Sequence, residues 1–155
     1  MASTKVKEYF EKIGISDRIK TFNTSTATVE LAAQALNCKK EHIAKTISFI
    51  VNNEPILIVI AGDMKANNSK FTSEFGEKMK MLTHEQTKEK IGHEVGGVCP
   101  FAVNDGVKIY LDISLKRFSH VYPACGSANS GIQLSIEELE QFSNYEKWVD
   151  IAVEI

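Results

Sequence analysis

Two runs of β-forming residues, "KTISFIV" and "ILIVIA", are divided by Asn52-Asn53-Glu54-Pro55, which is turn chemistry. They predict a hairpin of Lys45 to Val51 with Ile56 to Ala61. The second run is apolar on both faces, so its strand belongs in the middle of a sheet covered on either side. That requirement excludes a half-solvated meander and asks the rest of the chain for helices. Val6, Tyr9, Phe10 and Ile13 recur at helical spacing from about Thr4 to Ile13, with Gly14 as a stop. "TATVELAAQALNC" predicts a second helix burying Leu31, Ala32, Ala35 and Leu36, with Asn37 as its C-terminal cap. "NNSKFTSEFG" predicts a third, closed by Gly76. Thr83 with Gln86, and Ser135 with Glu138, are capping-box pairs that open two more, "THEQTKEKIG" and "SIEELEQFS".

Strands are expected at Arg18 to Phe22, "KMKMLT", Val107 to Leu115, "HVYPACG" and "GIQLS". No internal repeat, low-complexity segment or linker interrupts the 155 residues, which are expected to make one domain over 1–155. The fold class is α+β, a mixed α/β arrangement with helices packed around a curved, largely antiparallel sheet.

Lys and Arg number 18 against 20 Asp and Glu, so the net charge of −2 lacks the basic footprint of a protein that coats nucleic acid. DNA is not expected as a partner, and any RNA contact is local. The longest apolar run, "PILIVIAG", is too short to span a bilayer, and the first residues lack the apolar core of a signal peptide. The expected location is the cytoplasm, with no membrane partner. Cys38, Cys99 and Cys125 are odd in number and widely spaced, which favours free thiols.

The densest local signal is "GHEVGGVCPFAV". Gly96 and Gly97 allow positive φ and close approach of another group, and Pro100 holds Cys99 extended. Such a loop can aim backbone N–H groups at one point as an oxyanion or carboxylate cradle, or it can be a tight connection into a strand. Cys99 reads as a nucleophile with His93 as its base, or as a small buried hydrophobe. All four histidines read first as surface or capping residues. A metal site of His93, Cys99 and Cys125 lacks the usual close ligand spacing, and no motif calls for a cofactor. Lys45 opens an apolar strand on the same face as Ile47 and Phe49. It either reaches solvent or emerges into a pocket where a phosphate or carboxylate meets it. The small residues of "PACGSANSGIQL" open room for a ligand or make a hairpin turn.

Three segments in this order, "AKTISFIV", "GGVCPF" and "VYPACGSANSGIQLSIEEL", resemble the YbaK/prolyl-tRNA synthetase-associated domain family. The likeness runs from about Ser3 to Trp148. Its marks are Lys45-Thr46 opening an apolar strand and the G-x-x-x-P loop from Gly96 to Pro100. The resemblance implies a YbaK-like fold and a deacylase that hydrolyses mischarged aminoacyl-tRNA, most often a tRNA for proline. It implies that Lys45 contacts the terminal adenosine or its phosphate. The backbone of Gly96, Gly97, Val98, Cys99 and Pro100 would hold the ester carbonyl, with no side chain acting as an obligatory base. Thr46, Phe49, Gly126 and Ser127 are then candidates for the pocket wall. The implied partner is the acceptor end of a charged tRNA, with an aminoacyl-tRNA synthetase as a second. A non-catalytic binding module of the same fold is the alternative. The "ACGSANSG" turn is longer than the family's usual small glycine turn and carries Cys125, which leaves the amino acid unassigned.

Overall fold

The computed structural model describes residues 3–155. The hairpin forms as β2 (Ile43–Val51) and β3 (Glu54–Ala61), paired from Ala44↔Ala61 to Val51↔Glu54. Its loop is only Asn52-Asn53, both with positive φ (52° and 62°), a twist that suits two-residue hairpins and that asparagine tolerates. Glu54 and Pro55 therefore belong to the strand.

Before the hairpin come α1 (Thr4–Lys12), β1 (Lys20–Thr21) and α2 (Val29–Leu36). After it come β4 (Met64–Ala66), α3 (Asn68–Phe75), α4 (His84–Lys90), β5 (Lys108–Asp112), β6 (His120–Pro123), β7 (Ser130–Gly131), β8 (Leu134–Ser135), α5 (Ile136–Ser143), β9 (Lys147–Val149) and β10 (Ala152–Glu154). The helix ends follow the expected chemistry. Ser3, Thr28, Asn67, Thr83 and Ser135 each cap a helix N-terminus, both capping boxes are closed, and Asn37 and Gly76 take left-handed conformations at C-termini.

Six strands form one sheet in the order β8-β6-β2-β3-β5-β9. It is mixed rather than largely antiparallel: β2 with β6, β3 with β5, and β5 with β9 are parallel. The helices and loops between those strands act as crossovers, which a strand-by-strand reading does not reveal. The small pairs β1-β7 and β4-β10 lie outside this sheet.

β3 is covered on both faces, as its composition demands. Ile56, Ile58 and Ile60 pack with Phe49, Phe71 and Ile151, while Val59 and Ala61 join Val6, Phe10, Phe101, Leu111 and Leu139 on the other side. Each such fully buried aliphatic side chain contributes about 1.5–3 kcal/mol of transfer free energy.

Several expectations are corrected. Leu31 is 40% exposed, because α2 buries Ala32 and Ala33 instead. "KMKMLT" forms no strand beyond a single bridge from Met81 to Phe49. The segment expected as strand from Val107 to Leu115 stops at Asp112, whose buried carboxylate accepts N–H bonds from Ser114 and Ile151, turning the chain into a 3-10 helix. The segment from Arg18 to Phe22 holds only the two residues of β1, which pair with β7.

Candidate active site

The site begins where the β2 edge loses its neighbour. β6 pairs with β2 only at Ile43↔Tyr122 and Ala44↔Pro123. Further along, Leu82 N–H donates to Ser48 O and Ile50 N–H to Lys80 O. Between these two coverings the stretch Lys45–Ile47 has no strand on its outer side. A cleft of about 300 Å³ occupies the gap, bounded by α2, the segment ahead of it, the loop at residues 95–98 and the ends of β6 and β7. That volume is at the low end for small-molecule sites, about 300–1,000 Å³, and suits the end of a substrate rather than its bulk.

Backbone bonds hold these walls together. Phe22 N–H donates to Asn129 O and Thr26 N–H to Ala128 O, which ties the segment before α2 to the small-residue turn. Gly126 N–H donates to Gly97 O, which ties that turn to the glycine loop. The two segments approach so closely that a methyl group on Gly97 would overlap the backbone of Ser127. Gly96 sits at φ +90°, and a methyl there would lie 2.9 Å from Ala27 Cβ and 3.3 Å from Ala128 Cβ. Both glycines are thus required by close approach.

Of the candidates read from sequence, Lys45, Thr46, Gly96 and Val98 line this cleft. Lys45 is half-buried, makes no ion pair and donates no hydrogen bond among the described residues. Burial lowers its pKa, with Glu30 and Asp63 partly offsetting the effect. Asp63 is itself engaged by both terminal nitrogens of Arg117, at 3.0 and 2.6 Å. The N–H groups of Gly96 and Val98 have no acceptor among the described residues, whereas that of Gly97 is occupied by Glu94 O at 3.0 Å. Gly97 therefore shapes the loop and supplies no free donor.

The other candidates sit behind the wall. Phe49 lies further along β2, outside the lining, fully buried with its ring 5.0 Å from that of Phe71. Pro100 is buried beyond the cleft, and Gly126 and Ser127 buttress the loop from outside it. Ser127 Oγ donates to Asn129 Oδ1 and bonds Ser130 Oγ at 2.7 Å.

Cys99 and His93 do meet, with Sγ 3.6 Å from Nε2, but as a neutral core pair. His93 is 2% exposed rather than a surface residue. Burial pushes its pKa down to about 4 and that of Cys99 up to about 12. Nε2 also lies 2.7 Å from Phe101 O and must donate to that carbonyl, so it carries the proton and cannot accept one from the thiol. The pair has no thiolate to offer and no opening onto the cleft.

Sequence reasoning missed the lining residues Thr26, Thr28, Ser48 and Thr87, whereas Ser130 belongs to the small-residue stretch read as room for a ligand. Ser48 Oγ and Thr87 Oγ1 bond one another at 2.9 Å although 39 residues separate them. Thr87 lies in a helix of otherwise polar residues, and nothing in that local pattern marks it as inward-facing. Two amides without acceptors and an unpaired lysine in one hydroxyl-rich lining are the kinds of group that stabilise a carbonyl oxygen or an anion.

The uncharacterised protein YwhH of Bacillus subtilis is 43% identical over 152 residues, 97% of each chain. The proline–tRNA ligase of Lactiplantibacillus plantarum is 26% identical over 138 residues, 88% of this chain, and this chain spans about a quarter of the ligase. A solved structure described as a candidate trans-editing enzyme for prolyl tRNA synthetase superposes with a TM-score of 0.86 over 99% of both chains at 24% identity, and shares the fold. The family model described as aminoacyl-tRNA editing domain matches residues 23–142, and the chain belongs to that family.

Proposed function

We propose that this protein is a trans-acting deacylase that hydrolyses the ester of mischarged aminoacyl-tRNA, with a tRNA for proline as the first substrate to test. The observation that carries the reading is the half-buried, unpartnered Lys45 sharing a cleft with the unpaired amides of Gly96 and Val98. A half-buried cation and two donors without acceptors favour a ligand that is negative or carbonyl-bearing.

In this reading the ester carbonyl oxygen rests on the Gly96 and Val98 amides. Water adds to the carbonyl carbon, and the oxygen that becomes negative is stabilised by donors already in place. The C–O bond to the terminal ribose then breaks and the ribose oxygen takes up the proton that the water loses, giving free amino acid and uncharged tRNA. Lys45 neutralises negative charge on the acceptor end and fixes its orientation. Cys99 takes no part, since its thiol is buried and protonated.

The test is release of amino acid from a panel of tRNAs carrying Ala, Cys, Ser, Thr and Pro. At least one mischarged tRNA is expected to be cleared, and Lys45→Ala to lose on the order of a hundredfold in kcat/KM, as expected for a charged hydrogen bond and its positioning. A panel left untouched at micromolar protein, with retention on immobilised tRNA, would replace the deacylase with a binding module.

A further inference from the structure

Lys45 stands apart from the other lysines. Lys70 and Lys147 are held in ion pairs with Asp150 and Glu74, and Lys116 lies over the Trp148 ring at 4.6 Å. Lys39, Lys40, Lys65, Lys78 and Lys80 stand exposed in water. Lys45 is half-buried in the wall of the cleft, at the start of the stretch of β2 that has no outer strand, and makes no ion pair among the described residues.

Among the described residues no carboxylate shares the lining with it, and the other titratable groups there, His84 and Tyr122, supply no negative charge at neutral pH. Two acids act on Lys45 from outside the lining: Glu30 in α2, and Asp63 after β3, which Arg117 already engages. They offset only part of the effect of burial, so more of this amine is neutral near pH 7 than in a fully exposed lysine. The neutral amine carries the lone pair that a nucleophile needs. It opens onto a space of about 300 Å³, which admits a small molecule, and the acceptor-free amides of Gly96 and Val98 line the same space. Such donors stabilise the oxygen of an acyl group under attack.

We propose that Lys45 is the preferred acylation site of this protein, modified by small acyl phosphates such as acetyl phosphate, and that its acylation switches the cleft off. An acyl phosphate matches the lining twice, with an anion for a cationic cleft and a carbonyl for its free amides. The Nζ lone pair adds to the acyl carbon, the bond from that carbon to the phosphate oxygen breaks, and the proton shed by the nitrogen passes to water. The products are an N-acyl lysine and inorganic phosphate, with no oxidant or further reactant. The amide is uncharged, so the acylated chain has lost the cation of its cleft. The loss of activity rests on the deacylase reading, in which Lys45 meets the acceptor end, whereas the modification itself is measured without any hydrolysis.

The full chain is incubated with acetyl phosphate, folded and in urea, and acetylation of each lysine is followed in time by peptide mass spectrometry. Lys45 of the folded chain is expected to react about fivefold or more faster than the median exposed lysine, because the rate follows the neutral fraction and the loop amides add to it. In urea that advantage should vanish. A second sample carries acetyl-lysine in place of Lys45 at that position alone, installed during synthesis. On a mischarged tRNA cleared by the wild type, its kcat/KM is expected to fall on the order of a hundredfold, to the level of Lys45→Ala. Acetylation of Lys45 no faster than that of the exposed lysines, or an advantage that survives unfolding, would overturn the site. Wild-type kcat/KM with acetyl-lysine at position 45 would overturn the switch. Fast acetylation of Lys45 in a protein that clears no tRNA of the panel would sustain the site and sink the deacylase.

Discussion

Gly97→Ala is the sharpest perturbation of the glycine loop. The added methyl has nowhere to go, since it would overlap N, Cα and C of Ser127, which are backbone atoms with no rotamer to escape into. Ordinary carbon contact is about 3.5 Å, so the two segments must part by about 1 Å or more. The bond from Gly126 N–H to Gly97 O, now 2.9 Å, is broken or stretched in the process. Overpacking of this kind costs about 1–3 kcal/mol, and a broken buried hydrogen bond adds about 1 kcal/mol. A domain of this size has about 5–15 kcal/mol of stability, so the variant should fold with a lowered melting temperature. Activity should fall further than stability does. The amides of Gly96 and Val98 flank the displaced residue, and misplacing catalytic donors by about 1 Å can cost on the order of a hundredfold in rate. The assay is kcat/KM on a mischarged tRNA at a temperature where circular dichroism shows the variant fully folded. Phe71→Leu serves as a control, destabilised in a separate part of the core. A folded Gly97→Ala protein with wild-type kcat/KM would refute the claim that this loop positions the reacting carbonyl.

Two further predictions concern the core pair. Cys99→Ala should keep deacylation within about twofold while costing roughly 1–2 kcal/mol of stability for a small cavity, and a drop of several orders of magnitude would restore the thiol to the mechanism. His93 should make the fold acid-sensitive. Its folded pKa of about 4 lies below the unfolded 6.5, so below pH 6.5 the unfolded chain binds the proton more readily, and stability falls as pH drops from 6.5 toward 4. At about 1.4 kcal/mol per unit the loss approaches 3 kcal/mol. Urea midpoints of wild type and His93→Gln at pH 7 and pH 4.5 check this, and identical pH dependence in both would refute it.

The parts of the fold legible in sequence are those whose physics is local. Ser135 with Glu138, Thr83 with Gln86, and the Asn52-Asn53 turn each reveal themselves within four residues. β9 and β10 are invisible in the chain because three residues of "KWV" or "AVE" carry no period. They become strands only through β5 and β4, which lie far away in sequence. Phe49 is misplaced by sequence reasoning for a related cause. Alternation correctly puts it on the face of Lys45, but β2 leaves the cleft behind before reaching it, and alternation carries no information about where a cleft ends. Lys45 and Gly96 can be found because a charge in an apolar strand and paired glycines are conspicuous alone. Ser48 and Thr87 are conspicuous only as a pair, and the pair exists only after folding.

The uncovered stretch of β2 also bears on solubility. A bare strand edge is a template on which another chain can add a strand, the first step of ordered aggregation. Here it spans only Lys45–Ile47, closed off by β6 before it and by the bonds from Ser48 and Ile50 after it. Stacking segments usually need about six or seven residues free of charge. Three residues that include a lysine fall short of that, so the chain can keep backbone open for a ligand without inviting its own copies to polymerise.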